Sequence, residues 1–239
     1  MGRETVDLST HLIKDFSGQK NDFLALQPGR ITELVGLSGS GLTRLGLSLL
    51  AGPSLEGAVV VIDTRGWISP EAAWEAGVEA ESLVIVRCNE IPLWTKVAAA
   101  LLEGVPALYA EVPVGIKDHD LRRLAALARA RKARVAFRPM GAGLPSGVSH
   151  LRLRALGVTW EGADRGHGQL KRRRLFLEAS GKGAAGTKRR FEIDDAGYRI
   201  QMKADDGGRN IVTKAEDEGT NTLRVVSDVV ADPSRRAVG

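Results

Sequence analysis

The sequence predicts an α/β domain with a largely parallel central sheet flanked by helices, followed by a C-terminal β-hairpin and a disordered tail. Three observations carry this expectation. Apolar runs of strand length recur down the first 140 residues, helical segments separate them, and a Gly/Ser turn joins the first strand to the first helix.

The first strand reads Ile31-Thr32-Glu33-Leu34-Val35, and a Leu-rich helix from about Leu42 to Leu50 follows its turn. Ala58 to Asp63 is an unbroken apolar run, the pattern of a strand buried on both faces. Leu83 to Val86 repeats that pattern, and so does Ala107 to Ala110, entered through Val105-Pro106. Arg134 to Arg138 is a fifth strand. Residues 93–103 and 119–132 predict helices. The second sets Leu121, Leu124, Ala125 and Ala128 on one face and Arg122, Arg123, Arg129 and Arg131 on the other, with Asp118 or Asp120 as its N-cap. Beyond Gly141 the rhythm changes: Leu151 to Arg154 alternates, as does part of 171–178. Phe191 to Asp194 is the return strand, and Gly181 to Gly186 forms the hairpin loop. The expected organisation is an arm over 1–21, a core domain over 22–200, and a tail over 201–239. That tail has no aromatics and mixed charge and is read as mostly disordered, with Leu223 to Val230 its one apolar patch.

Composition excludes several classes. A chain of 239 residues with 43% apolar and 5% aromatic residues can bury a sizeable core built mainly from aliphatic side chains. A single cysteine, Cys88, cannot form an internal disulfide and reads as a small core thiol. No charged-then-apolar leader and no apolar stretch of about 20 residues is present, so the expectation is a soluble, cytoplasmic protein. His11, His119, His150 and His167 are scattered without metal-ligand spacing, so no metal site is expected. Trp67, Trp74, Trp94 and Trp160 read by default as core or helix-docking residues.

The net charge of +5 is unevenly spread, with eleven Lys/Arg against three acids between Arg152 and Arg190. Two readings stay open: a surface for DNA or an acidic partner, or a solvated face. The residues in question are Lys171, Arg172, Arg173, Arg174, Lys188, Arg189 and Arg190.

The turn itself, Gly36-Leu37-Ser38-Gly39-Ser40-Gly41-Leu42-Thr43, has the frame G-x4-G-x-[ST] of a phosphate-binding loop, with Leu42 where that loop carries lysine. Strand, loop and helix N-terminus in this order aim backbone N–H groups at an anion. A tight turn with purely steric glycines is the alternative. Lysine would bring a positive charge to the outer phosphates, worth roughly 4 kcal/mol for a pair about 4 Å apart at an effective dielectric near 20. Leucine removes that attraction. Gly36, Gly39, Ser40, Gly41 and Thr43, with Asp63 and Glu111 at two strand ends, are therefore candidates for a vestigial nucleotide site. No catalytic residue and no tightly bound cofactor is expected, with weak binding of ATP and magnesium as the alternative.

From Gly29 to Leu45, and again over Val60 to Pro70, Gly77 to Leu83, Val105 to Glu111 and Val135 to Phe137, the chain resembles the RecA recombinase core. The resemblance spans residues 22–200 and implies a RecA-like P-loop core. It also locates the departures. Arg65 stands two residues after Asp63, where the family carries the glutamate that activates water, and arginine cannot act as a base. Glu111 stands for the Walker B aspartate. The loop that contacts DNA in the family's filaments is reduced to Pro139 to Ser149. A shortened RecA-like chain with a degenerate loop and the basic Lys171 to Arg174 strand is most similar to the ImuA and ImuA-prime group of bacterial mutagenesis proteins. That resemblance implies a non-hydrolysing adaptor in damage-induced translesion synthesis. Its partners would be an inactive Y-family polymerase homologue and an error-prone replicative-type polymerase, or RecA. A weakly nucleotide-binding switch and a DNA-binding repair module are the alternatives.

Overall fold

In the computed structural model, residues 23–161, 172–195, 200–204 and 223–226 are described. Five strands build the parallel half of the sheet: β1 (Ile31–Val35), β2 (Val59–Asp63), β3 (Leu83–Arg87), β4 (Ala107–Val112) and β5 (Arg134–Pro139). Between them run α1 (Leu42–Ser48), the short α2 (Ala51–Ser54), α3 (Pro70–Glu75), α4 (Ile91–Gly104) and α5 (Asp118–Arg131). The second half contains β6 (Leu151–Glu161), β7 (Arg172–Ser180), β8 (Arg189–Asp195), β9 (Ile200–Ala204) and β10 (Leu223–Val226). The order across the sheet is β3-β2-β4-β5-β1-β6-β7-β8-β9, with β10 also pairing β6. β6 lies parallel to β1, and β7, β8 and β9 follow antiparallel.

Period-two alternation explains why the strand runs are apolar throughout. Val59 and Val61 of β2 pack with Leu42, Leu45 and Leu47 of α1 and Ala73 of α3 on one face. Val60 and Ile62 pack on the other face with Trp94, Ala98 and Leu102 of α4 and with Leu121, Leu124 and Ala128 of α5. A strand covered on both sides has no polar face to display. β3 departs from the expectation of full burial. It is the last strand of the sheet, and Val84 is 46% exposed there.

Local signals set the helix ends with two corrections. The N-cap of α5 is Lys117, without a side-chain cap; Asp118 and Asp120 instead occupy the first turn, where their charge favours the helix dipole. Helix α3 lies in a stretch to which the sequence reading assigned no helix. Its signature was present in Ser69-Pro70-Glu71: the Ser69 hydroxyl accepts from the Glu71 amide at 3.2 Å, and proline opens the helix.

The expected hairpin is β7–β8, joined through Gly181 and a 3-10 turn at Lys182–Ala184. Gly181 has φ 98°, and a methyl group there would lie 2.8 Å from the His150 carbonyl oxygen, so glycine is required. The span 201–239, read as disordered, contains two strand segments, most of β9 and all of β10; its other residues lie outside those described, as does the arm 1–21. The reason for β10 is an open edge. β1 pairs with β6 only over Leu151 to Arg154, and Leu223 to Val226 pair antiparallel with Gly157 to Trp160 further along. Among the described residues no helix is long and apolar enough to cross a membrane.

Candidate nucleotide site

The turn between β1 and α1 sits at the C-terminal edge of the sheet, where an open α/β fold holds its ligands. Gly39 and Gly41 take positive φ of 79° and 78°, and Gly41 is the N-cap of α1. The turn closes on itself. The Leu37 carbonyl accepts from the Ser40 amide at 3.3 Å and from the Ser40 hydroxyl at 2.6 Å. Leu42, at the position of the missing lysine, is fully buried among Leu34, Leu45 and the rest of that core face. A methyl group at Gly36 would meet Leu42 Cδ1 at 2.9 Å and Ala155 Cβ at 2.8 Å. One at Gly41 would lie 2.3 Å from an Nη1 of Arg173, a buried side chain from β7. Hydrocarbon below and a guanidinium alongside therefore border the glycines that would have cradled a phosphate.

The candidate magnesium-binding residues Thr43 and Glu111 are paired as well. Arg138, at the end of β5, donates a short hydrogen bond to the Thr43 hydroxyl and lies 3.8 Å from Glu111 Oε1. Arg65 donates to both oxygens of Glu111, from Nε at 3.0 Å and through a shorter bond from Nη2. Glu111 and Arg138 are both buried, so each guanidinium offsets a carboxylate that would otherwise be costly to bury. Asp63 is turned away from this group: its carboxylate accepts the amides of Gly66 at 2.8 Å and Ile68 at 2.9 Å, capping the bend after β2. Sequence grouped Asp63 with Glu111; the structure separates a turn-forming acid from an ion-paired one.

Tyr109 of β4 completes the cluster beside Thr43 and Arg138. Burial pushes its pKa up to about 12, with Arg138 opposing and Glu111 adding to the shift. Its ring occupies the space over Gly46 of α1, where a methyl group would lie 2.2 Å from Tyr109 Cε2. Gly46→Ala is thus expected to destabilise by about 1–2 kcal/mol in urea unfolding, because overpacking a fixed ring outweighs the gain in helix propensity.

Three groups in this region have partners that the chain did not show. Arg138 showed only as a charge ending a buried strand. Arg65 carries Trp67, with its guanidinium 3.9 Å from the ring centroid. Contrary to the expected core role, Trp67 is 62% exposed and Trp74 is also exposed, whereas Trp94 is fully buried. The third is Glu33, a buried carboxylate in β1 that accepts from the Leu144 amide at 2.6 Å, Ser149 Oγ at 2.8 Å and Arg152 Nε at 2.8 Å. It pins the short loop 139–149 against the sheet. The only sequence signal was an acid inside an apolar strand.

The basic run is divided by strand alternation. Arg173 points inward to Gly41 and lies 5.8 Å from the Trp160 ring centroid. Arg174, on the other face of β7, pairs with Glu192 at 3.7 Å. Lys188 and Arg190 flank Glu178 at 3.5 and 3.6 Å, and Arg189 is exposed. Arg172 pairs through its backbone with Glu161, and Lys171 lies outside the described residues. The adjacent Arg173 and Arg174 therefore do not share one surface. Cys88 is buried at the end of β3, and among the described residues no group of three or more His, Cys, Asp or Glu could hold a metal.

The sheet places β5 between the strand that bears the turn, β1, and the strand that bears the acid, β4. A family model described as the MT3502 N-terminal domain matches residues 25–138, which hold β1 to β4 and all of β5 but its last residue. Among solved structures, the chain is similar to a RadB recombinase at 18% identity and TM-score 0.48, with 72% of this chain and 90% of that one covered. No curated protein matches the sequence.

Proposed function

We propose that this chain is a non-hydrolysing RecA-like adaptor of the bacterial DNA-damage response, acting in a translesion-synthesis assembly. One observation carries the first half of that reading. Arg138 is lodged on the Thr43 hydroxyl beside Glu111, so a cation of the chain itself stands between the two groups that would hold magnesium. Guanidinium has donors only and does not lose its proton near neutral pH, so it neither coordinates a metal nor activates water. Magnesium would have to displace Arg138 and part Arg65 from Glu111. The second half is supported by the resemblance to the ImuA and ImuA-prime group, which suggests polymerase-type partners or RecA.

Titration with magnesium-ATP to millimolar concentration is expected to give no binding heat, and turnover is expected to be absent with or without single-stranded DNA. Heat that disappears in Thr43→Ala would favour the weakly binding switch instead. Turnover lost in that variant would overturn the adaptor reading. In cells lacking the gene, Thr43→Ala is expected to restore damage-induced mutagenesis as fully as the unaltered chain.

A further inference from the structure

The described cations of this protein differ in their company, and Arg87, Lys96, Lys117, Arg123 and Arg154 stand on scattered elements without an ion pair. Around the nucleotide-site end and on the outer face of β7 and β8, carboxylates accompany most of them: Arg44 with Glu75, Arg65 and Arg138 with Glu111, Arg174 with Glu192, and Lys188 and Arg190 with Glu178. Arg30, Arg129, Arg131, Lys132 and Lys182 differ: all five are exposed, and among the described residues none has an ion pair.

These five gather at one place, the edge where the parallel strands begin. Arg30 immediately precedes β1, Arg131 ends α5, and Lys132 caps it with φ 55°. Gly29 holds the two segments together. Its amide donates to the Ala133 carbonyl at 3.0 Å, and a methyl group on it would lie 3.4 Å from Arg129 Cα and 3.7 Å from Lys132 Cα. The next strand along extends the band. The His150 amide donates to the Ile31 carbonyl at 2.8 Å, and the His150 carbonyl accepts from Gly183, the neighbour of Lys182, at 2.9 Å. His150 registers the resulting potential: burial first, then Arg30 and Lys182, hold its pKa below the usual imidazole range. Carboxylates on this edge sit further along: Glu56 before β2, paired with Arg134 at 2.7 Å, Glu103 before β4, and Glu79 and Glu81 before β3.

We infer that this band, at the edge opposite the nucleotide turn, binds the phosphate backbone of duplex nucleic acid without reading sequence. The occupant follows from what the band has and lacks. Its cations are mounted on a helix end, strand starts and a tight turn, and three are arginines, whose forked donors suit phosphate oxygens. Among the described residues, large exposed apolar side chains lie away from the five cations, with Leu55 before β2 and Val84 at the start of β3 further along this edge. Protein interfaces and membrane surfaces both draw on apolar burial, whereas a phosphate backbone requires only charge. No aromatic residue lies among the five or their chain neighbours, so bases have nothing to stack on, and a duplex fits better than a single strand. The inference stands whether or not the adaptor reading holds.

The test is fluorescence anisotropy with a labelled 25-base-pair DNA duplex across a salt series. Five phosphate contacts give a slope of log affinity against log salt of about −4, or a loss of several hundredfold between 50 and 200 mM. Arg129→Gln/Arg131→Gln/Lys132→Gln is expected to weaken binding at least tenfold at 50 mM and to reduce the slope to about −2. Arg30→Gln/Lys182→Gln, which leaves α5 untouched, is expected to act in the same direction and covers the case in which the triple variant fails to fold. Arg174→Gln/Lys188→Gln/Arg190→Gln, equal in charge change, should stay within twofold of the unaltered chain. Absence of DNA binding, or band variants that bind like the unaltered chain, would overturn the inference. So would binding to vesicles of anionic phospholipid as tight as to DNA at the same salt.

Discussion

Leu42→Lys, which restores the lysine that the turn lacks, is expected to lower folding stability by about 2–5 kcal/mol and to gain no nucleotide binding. Leu42 is fully buried against Leu34 and Leu45, and its Cδ1 approaches Gly36 within 2.9 Å of where a methyl would stand. A lysine there has two options. Held in the same direction, it buries an ammonium in hydrocarbon; turned outward to the loop, it leaves a leucine-sized cavity beneath α1. Neither repairs the rest of the site, because Arg138 still occupies Thr43 and Arg65 still binds Glu111. Leu42→Met, which preserves volume, should cost less than about 1.5 kcal/mol. Urea unfolding and calorimetric titration with magnesium-ATP measure the two halves. A stable Leu42→Lys protein that binds ATP in the micromolar range would mean that the loss of a single lysine, and not the internal ion pairs, is what closed the site.

Glu33→Ala should cost about 3 kcal/mol, the low end of the range for breaking a buried ion pair. The low end applies because the Arg152 side chain is 33% exposed and can be partly rehydrated once its partner is gone. The Leu144 amide has no such recourse, since it is buried. Removal of one carboxylate therefore releases three donors and frees the loop 139–149 from β1. Hydrogen exchange should accelerate at Leu144, and limited proteolysis should move to this loop. Glu33→Gln keeps an acceptor for Leu144 but turns an amide group toward Ser149 or Arg152, so an intermediate loss is expected. If Glu33→Ala melted like the parent and the loop stayed protected, the loop would be held by something other than this carboxylate.

Both predictions concern groups whose roles were invisible along the chain. The Leu42 substitution was legible as a missing charge; the use of the leucine as a core residue was not. Glu33 looked like an interruption in an apolar strand, and its three partners lie 111, 116 and 119 positions away. Sequence marked Arg65 as a lost base, and only the fold joins it to Glu111, 46 positions on, and stacks it on Trp67. Arg173 and Arg174, adjacent in the basic run, part company for a different reason. Neighbours in a strand point to opposite faces, so adjacency in sequence separates side chains in space. The cations that do share a surface come from a strand start, a helix end and a hairpin turn distant from one another in the chain.

The sequence by itself determined the alternation of strand and helix, the two buried faces of β2, β4 and β5, the glycine turn before α1, and the β7–β8 hairpin. Each of these is written in residues a few positions apart, whose period or backbone freedom fixes local geometry before any distant contact forms. Tertiary structure decided which strand became the exposed edge, where β10 found its pairing, and which charges met. Arg138 reaches Thr43 across 95 positions because β5 is laid beside β1. A buried charge must find its counter-charge wherever the packed sheet brings one within reach, and no local pattern records that place.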